Sequence, residues 1–235
     1  SSNDAFDSLA NQTVVATVVD NDTPAVTITE SGTTDTTEGS TTDTYTVALA
    51  TQPGNSGTDV VVTITPDAES SVGAGAGMAT NLMFNAGDWN TPQTVTVTAN
   101  DDAVLEGAHT STIAHTINTA STTDTDYDAV TGISDVTNNI TDNDQAQITV
   151  VPSFAFASEN PQLFFGRFTF NSSVANNTAS AFTVNYTVTG TATSGVDYSS
   201  LSGSVDIANA GGSSAFVDVD TSGYDDSDIE GDETV

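Results

Sequence analysis

An acidic pattern occurs twice in this chain, about 120 residues apart, and it constrains the fold more than any other feature. The cluster at residues 100–107 recurs at residues 224–231, and Glu159 follows Glu38 by 121 places. A strand-like segment that ends in Asp-Asn-Asp also occurs twice, at residues 20–22 and 142–144. A repeat of this length predicts tandem domains, each with its own core, rather than a solenoid of short repeats.

Between the acidic clusters, apolar and polar residues alternate in the way that β-strands do. Residues 44–49 and 60–64 alternate clearly, and a turn signal at residues 85–88 between two further strands predicts a hairpin. No segment has a convincing period of 3.6 residues, so we expect essentially no helix. About seven short strands per repeat predict an all-β fold of tandem immunoglobulin-like sandwiches.

The repeat also predicts the domain boundaries. Residues 1–23 look like the last strands of a preceding repeat, with a strand at about residues 13–19. Residues 24–144 form a complete sandwich, and residues 145–235 form a second sandwich that is truncated before its last strands. The chain is therefore expected to be a piece of a longer protein.

The charge balance excludes several classes of partner. The chain has 32 acidic residues, one Arg and no Lys, for a formal net charge of −31. Binding to nucleic acid or to an anionic membrane surface needs Lys and Arg, so neither is expected. The absence of cysteine excludes disulfides and thiolate zinc sites, and no apolar run is long enough for membrane insertion. A chain with so few cleavage sites for trypsin-like proteases suits an extracellular or cell-surface location.

Nothing in the sequence predicts an enzyme. It has no nucleophile elbow, phosphate-binding loop or metalloprotease motif. His109 and His115 lie on the same face of one predicted strand, roughly 20 Å apart by strand rise. That distance excludes a shared metal ion, and both are expected to be ordinary strand residues.

The acidic clusters of the first repeat have the composition of a calcium site. Calcium takes six to eight oxygen ligands from carboxylates, carbonyls and water. The candidate ligands are Glu38, Asp101, Asp102, Glu106, Asp142 and Asp144. So many carboxylates would repel one another strongly without a cation. The alternative is an acidic loop that is simply solvated.

The order of these motifs resembles the Calx-beta domain. The motifs that support this resemblance are Glu38-Gly39, Asp101-Asp102 with Glu106-Gly107, the closing Asp-Asn-Asp, and Gly195-Val196-Asp197-Tyr198 in the second copy. The resemblance implies antiparallel Greek-key sandwiches that bind Ca²⁺, with the carboxylates at one pole. In the second repeat it implies the ligands Glu159, Asp197, Asp225, Asp226 and Glu230. The first repeat departs from the family in lacking Gly-x-Asp-Tyr, and Asp67 or Glu69 are candidates to substitute.

These features predict a calcium-binding spacer of a secreted or cell-surface protein, in which calcium fixes the angle between neighbouring repeats. One alternative is an adhesin module that binds carbohydrate or a partner cell. Another is a filament subunit, in which residues 13–19 of one molecule complete the second sandwich of the next by strand addition. A simple fragment boundary would explain the same ends.

Overall fold

The computed structural model describes residues 13–54, 57–158, 164–225 and 231–235, and it is an all-β structure. In this part of the chain, the one helical element is a 3-10 turn at Tyr127–Ala129. No helix there has the length and apolar character needed to cross a membrane. The strands are β1 Val26–Glu30, β2 Thr34–Thr37, β3 Thr42–Leu49, β4 Asp59–Pro66, β5 Ser70–Ser71, β6 Thr80–Asn85, β7 Gln93–Ala99, β8 Val104–Leu105, β9 His109–Ile117, β10 Val136–Thr141, β11 Ile148–Phe154, β12 Gly166–Asn176, β13 Phe182–Asn185, β14 Ser204–Ile207 and β15 Gly212–Val219.

The strands from β1 to β10, apart from β8, form the first sandwich. One sheet has the order β1-β3-β7-β5 and the other has the order β2-β10-β9-β4-β6. Period-two alternation decides which side chains face inward, so the predicted inward set of Tyr45, Val47 and Leu49 is buried. These residues meet side chains from the opposite sheet, such as Val62 and Ile113, in one hydrophobic core. This burial is the main stabilisation of the sandwich.

β2 is a strand that the sequence does not predict, because residues 30–43 look like an acidic turn region. Every residue of β2 is Thr or Asp, yet Thr34 and Thr36 are buried. β2 pairs in parallel with β10, unlike the other strand pairs of this sandwich. The hydroxyl of Thr36 shares hydrogen bonds with the Asn138 side chain, at 2.9 and 3.1 Å. Buried polar groups satisfied in this way let a polar segment occupy the core edge.

The predicted hairpin at residues 85–88 is wrong. The turn itself forms, with the Asn85 amide donating to Asp88 Oδ1 at 2.7 Å. However, β6 pairs with β4 and β7 pairs with β3, so the chain crosses from one sheet to the other. Residues 86–92 are enough to span the ~10 Å between packed sheets. Trp89 in this crossing packs, partly buried, against the core, as a packing residue should.

The second sandwich is built from β11, β12 and β15 in one sheet and β13 with β14 in another. The sequence predicts Phe164, Phe168 and Phe170 on one face of a strand and Arg167 on the other. Phe168 and Phe170 do alternate with Arg167 in β12, but Phe164 precedes this strand. Phe170 packs against Tyr186, with ring centroids 5.3 Å apart. The sequence also predicts Tyr186 and Val188 in a strand, which is wrong, because β13 ends at Asn185.

The two sandwiches are joined by a short segment and by a pair of strands. β10 ends at Thr141 and β11 begins at Ile148, so few residues lie between them. β8 pairs in parallel with β12, with Val104 opposite Ala175 and Leu105 opposite Asn176. The Leu105 carbonyl also accepts a hydrogen bond from the Asn177 amide at 2.7 Å. The loop that carries β8 therefore contacts both sandwiches.

The strand predicted at residues 13–19 does not form. Residues 13–25 carry no strand assignment, and Val14 and Val18 are 89% and 90% exposed. The segment has apolar alternation, but an isolated strand is unstable because its backbone groups have no partner. Within the described residues no other strand pairs with it.

Candidate metal centre

Glu38 lies at the centre of the acidic cluster. It follows β2, and its amide donates to the Thr141 carbonyl at 3.1 Å, which fixes it beside the end of β10. Its side chain is almost fully buried, at 1% exposure. Gly39 then turns the chain with a φ of 62°, and a Cβ there would come within 2.7 Å of Asp101 Oδ1. Glycine is therefore required both for the turn and for the close approach of Asp101.

Asp142 holds the strand end and the neighbouring loop together. Its Oδ2 accepts hydrogen bonds from the amides of Glu106 and Gly107, both at 2.7 Å. Its Oδ1 accepts one from the Asp144 amide, also at 2.7 Å. Burial acts to raise the pKa of Asp142, but these three donors outweigh it and lower the pKa below its ordinary value. Asp142 is therefore an ionised anchor of the pole.

The carboxylates of the first repeat lie together at this pole. Ligand atoms of Glu38, Asp142 and Asp144 lie within 4.8 Å of one another. Asp101 is tied to the group by Asn143, whose side-chain nitrogen donates to Asp101 Oδ1 at 3.0 Å and to the Glu38 carbonyl at 2.8 Å. Asp102 is more exposed, and its charge helps to raise the pKa of Glu38 and Glu106. Four of the six residues that the sequence selects in this repeat, Glu38, Glu106, Asp142 and Asp144, fall into two ligand groups that share Glu38, whereas the exposed Asp101 and Asp102 belong to neither group.

Several atoms of the cluster are buried without a hydrogen-bond partner in the described structure. They are Glu38 Oε2, Glu106 Oε2, Asp144 Oδ2 and His109 Nε2. Burial raises the pKa of Glu38, and the charge of Asp142 raises it further. Burial is also the largest cause of the raised pKa values of Glu106 and Asp144. Unpaired buried carboxylate oxygens are costly, and a bound cation removes that cost.

The chain itself offers little positive charge to this pole. Its one Arg, Arg167, lies in β12 and forms an ion pair with Asp218, with Nε 2.5 Å from Oδ1. No Lys exists in the sequence. Among the described residues, His109 is therefore the side chain that can place a positive charge beside the cluster.

His109 is a member of the cluster that the sequence prediction missed. Its Nε2 lies 3.6 Å from Glu106 Oε2 and 4.0 Å from Glu38 Oε1. The prediction that His109 is an ordinary strand residue rests only on its distance from His115. The signal that could have identified it is its position three residues after Glu106. His115 does behave as predicted, because it is buried and hydrogen-bonded to the Tyr45 hydroxyl at 2.8 Å.

Asp67, a candidate for the position left by the missing Gly-x-Asp-Tyr motif, belongs to neither ligand group. Its Oδ1 accepts a hydrogen bond from the Ser111 hydroxyl at 2.5 Å, and its Oδ2 accepts one from the Thr112 amide at 2.7 Å. These bonds give Asp67 a structural role in joining its loop to β9. Glu69 is close enough to raise the pKa of Glu106 by its charge.

The second repeat shows no comparable cluster in the part of the chain that the structure describes. Asp197 is buried, and its Oδ2 accepts a hydrogen bond from the Thr193 amide at 2.5 Å. Asp225 lies within the described residues but joins no ligand group there. Glu159, Asp226 and Glu230 lie outside the described residues.

Similarity to known proteins is limited to distant solved structures. No known protein family matches the chain, and no curated protein matches it. Among solved structures, the CBD12 region of CALX1.2 aligns at 17% identity and a TM-score of 0.32, over 83% of this chain and 74% of that one. The calcium binding domain CBD12 of CALX1.1 aligns at 19% identity and a TM-score of 0.33, over 80% and 72%. Similarity at this level does not define the function of this chain.

Proposed function

We propose that the chain is a calcium-binding structural module and that the acidic pole of the first sandwich is its ion site. The observation that carries the proposal is the Glu38 carboxylate, which is 1% exposed and has an oxygen with no partner in the described structure. It lies beside the carboxylates of Glu106, Asp142 and Asp144, and neither Lys nor Arg is among its neighbours in the described structure. A divalent ion bound there would turn this repulsion into attraction and would add its binding free energy to folding.

Calcium fits this ligand set better than magnesium does. The pole offers carboxylates from three chain segments: residue 38, residues 101–106 and residues 142–144. Calcium accepts six to eight oxygens in flexible geometry, whereas magnesium keeps several waters and uses one or two carboxylates. The number and spread of the carboxylates therefore favour calcium.

The same pole is continuous with the junction between the sandwiches, which supports a mechanical role. The amides of Glu106 and Gly107 are bonded to Asp142, and the preceding residue, Leu105, is bonded to the second sandwich. An ion held by Glu106 and Asp142 would lock this loop in place. In this proposal calcium fixes the angle between neighbouring repeats and makes the chain a stiff spacer of a secreted or cell-surface protein.

Small-angle X-ray scattering with calcium and with chelator tests the spacer proposal. We expect calcium to give a single, well-defined maximum dimension and chelator to give a broader distribution of interatomic distances. The variant Glu38→Gln should scatter alike in both conditions, whereas Asp128→Asn, which removes an exposed carboxylate elsewhere, should respond as the wild type does. A wild-type profile that is unchanged by calcium would contradict the junction role.

A second candidate function is an adhesin module, and the exposed aromatic residues of the second sandwich favour it. Phe154, Phe156, Phe164 and Phe165, with Ala155, line a groove of about 530 Å³. Phe156 is 83% exposed. Apolar faces of sugars can stack on aromatic rings of this kind. Glycan-array binding that is lost in Phe156→Ser would support this function, and no bound glycan would argue against it.

Assembly by strand addition is a separate proposal, supported by the exposed apolar residues at positions 14–19. An unpaired segment of this kind can add to the edge of a sheet in a second copy of the chain. Light scattering should then show a mass that increases with protein concentration. A constant monomer mass would rule out this assembly under the conditions used.

A further inference from the structure

The orientation of the His109 ring is that of a metal-binding histidine. Its Nδ1 lies 2.9 Å from the Gly107 carbonyl oxygen. A carbonyl can only accept, so Nδ1 is the protonated nitrogen, and a neutral ring then has its lone pair on Nε2. Histidine ligands typically donate their other N–H to a carbonyl or carboxylate, which fixes the ring for the metal. Here Nε2, the nitrogen with the lone pair, is the ring atom that lies beside Glu38 and Glu106.

The three facing atoms are arranged as ligands and not as hydrogen-bond partners. His109 Nε2 is 3.6 Å from Glu106 Oε2 and 4.0 Å from Glu38 Oε1, and the three ligand atoms lie within 4.8 Å of one another. In a tetrahedral site with bonds of about 2.1 Å, ligand atoms lie about 3.4 Å apart. A single ion therefore fits between them after small side-chain adjustments.

Burial supplies an independent sign of a ligand. Glu38 is 1% exposed, and Glu38 Oε2, Glu106 Oε2 and His109 Nε2 all lack hydrogen-bond partners in the described structure. A solvated acidic loop would instead expose these atoms to water. An ion coordinated by the triad would satisfy the buried carboxylates and the ring nitrogen together.

The chemistry of the triad differs from that of the neighbouring calcium ligands. Imidazole suits Zn²⁺, Cu²⁺, Fe²⁺ and Ni²⁺, whereas calcium prefers oxygen. We propose that Glu38, Glu106 and His109 form a second metal subsite for a borderline divalent cation of the Zn²⁺ type. Glu38 bridges this subsite and the calcium site, and water completes the coordination. The subsite shares Glu38 with the proposed calcium site but does not require calcium to be bound.

Histidine NMR tests the subsite directly, because the sequence has only two histidines and no cysteine. Protein labelled with ¹⁵N at histidine is saturated with calcium and titrated with Zn²⁺. We expect one equivalent of Zn²⁺ to shift the Nε2 resonance of His109. The resonances of His115 should stay unchanged, because its ring bonds to Tyr45 and Ser134.

Matched variants separate this subsite from the calcium site. His109→Gln keeps a side-chain donor for the Gly107 carbonyl, and it should weaken Zn²⁺ binding at least about tenfold. We expect it to change calcium affinity by less than about threefold, since calcium prefers oxygen ligands. Asp128→Asn should change neither affinity.

Two outcomes would overturn the subsite. One is Zn²⁺ binding without a shift of His109 Nε2, which would place the ion among the carboxylates alone. The other is no Zn²⁺ binding, with His109 present only as an imidazolium paired with the two glutamates. Zn²⁺ binding with the expected shift but no calcium binding would leave the subsite standing and would contradict only the calcium proposal.

Discussion

Two buried carboxylates at opposite ends of the first sandwich are compensated in different ways. Asp124, 4% exposed, accepts hydrogen bonds from the amides of Gly54, Asp126 and Tyr127 at 2.7, 3.0 and 3.3 Å. Glu38 is 1% exposed, and its Oε2 accepts none within the described structure. β3 runs from the Glu38 end to the Gly54 end, so one strand connects the two environments.

We interpret the difference as that between a structural carboxylate, Asp124, and a proposed ligand, Glu38. Asp142 combines the two, because it accepts three amide hydrogen bonds and also lies within ligand distance of Glu38. A carboxylate surrounded by amide donors stabilises the fold without an ion, and its removal leaves those donors unpaired. A carboxylate surrounded by other carboxylates is unfavourable until a cation arrives. Acidity and burial are common to both residues, so only the partners distinguish them.

The largest effect that tests this comparison is the thermal response to calcium. At a calcium concentration one hundred times Kd, binding adds about 2.7 kcal/mol to the free energy of unfolding. For a domain of this size that is on the order of a 10 °C rise in Tm over the value in chelator. Calorimetric melts should show this rise in the wild type and in Asp124→Asn, but not in Glu38→Gln. An equal rise in Glu38→Gln would remove Glu38 from the site.

The second largest effect is the change in the free energy of unfolding, in chelator, when Asp124 or Glu38 is replaced by its amide. Asp124→Asn replaces an acceptor oxygen with a donor, and we expect it to lower the free energy of unfolding by about 2 kcal/mol. Glu38→Gln removes a buried charge from a repulsive cluster, so we expect it to raise the free energy of unfolding. Urea denaturation measures both. A loss of stability in Glu38→Gln comparable to that of Asp124→Asn would contradict the distinction.

A smaller effect extends the comparison to the second sandwich. Asp197 accepts an amide hydrogen bond from Thr193, as Asp124 does from its neighbours. Asp197→Asn should therefore cost about 1 kcal/mol in chelator and in calcium alike. Urea denaturation in both conditions checks this. If the cost appears only in calcium, Asp197 is a ligand, as the resemblance implies.

The smallest effect is the pH dependence of the metal-free protein. The pKa values of Glu38 and Glu106 are raised above the ordinary 4.5, chiefly by burial. The folded state therefore keeps these protons to higher pH than the unfolded chain, and the contribution of these two groups to stability in chelator falls as the pH rises from 4.5 through the raised values. Burial lowers the pKa of His115 below its ordinary 6.5, which contributes in the opposite direction. The lowered pKa of Asp142 contributes stability that is fully present above its ordinary 3.8 and is lost only as the pH falls below that value, outside this window.

Melts in chelator from pH 4.5 toward neutrality check this dependence. Glu38→Gln should show a shallower fall in Tm than the wild type, because one of the three carboxyls with raised pKa values, Glu38, Glu106 and Asp144, is absent. In calcium the trend should reverse, because the ion competes with the same protons. Because His115 is present in both proteins, an equal pH dependence of Tm in Glu38→Gln and the wild type would contradict the raised pKa of Glu38.

Much of the fold follows from local sequence. The alternation in β3 and β4 predicts both the strands and their buried faces, because side-chain direction in a strand has a period of two. β2 could not be predicted in this way, since its buried threonines depend on Asn138, about one hundred residues later. The sheet change between β6 and β7 also depends on distant partners, which a local turn signal does not report.

The candidate site likewise has features that local sequence predicts and features that depend on distant partners. Repetition and residue type select the carboxylates from Glu38 to Asp144, and strand order brings them together. The sequence does not reveal that Glu38 is buried and lacks a partner, or that Asp124 is buried and satisfied. It also does not place His109 beside Glu106, because that contact depends on how the loop after β8 bends at Gly107, where φ is 71°.

The central claim is that Glu38 is tolerated in the interior because it binds calcium, and calorimetric titration tests it most directly. Calcium added to the metal-free wild type should give saturable heat. Glu38→Gln should lower the affinity at least about tenfold, which corresponds to about 1.4 kcal/mol, while Asp128→Asn leaves it unchanged. No saturable heat in the wild type, or equal affinity in Glu38→Gln, would contradict the claim.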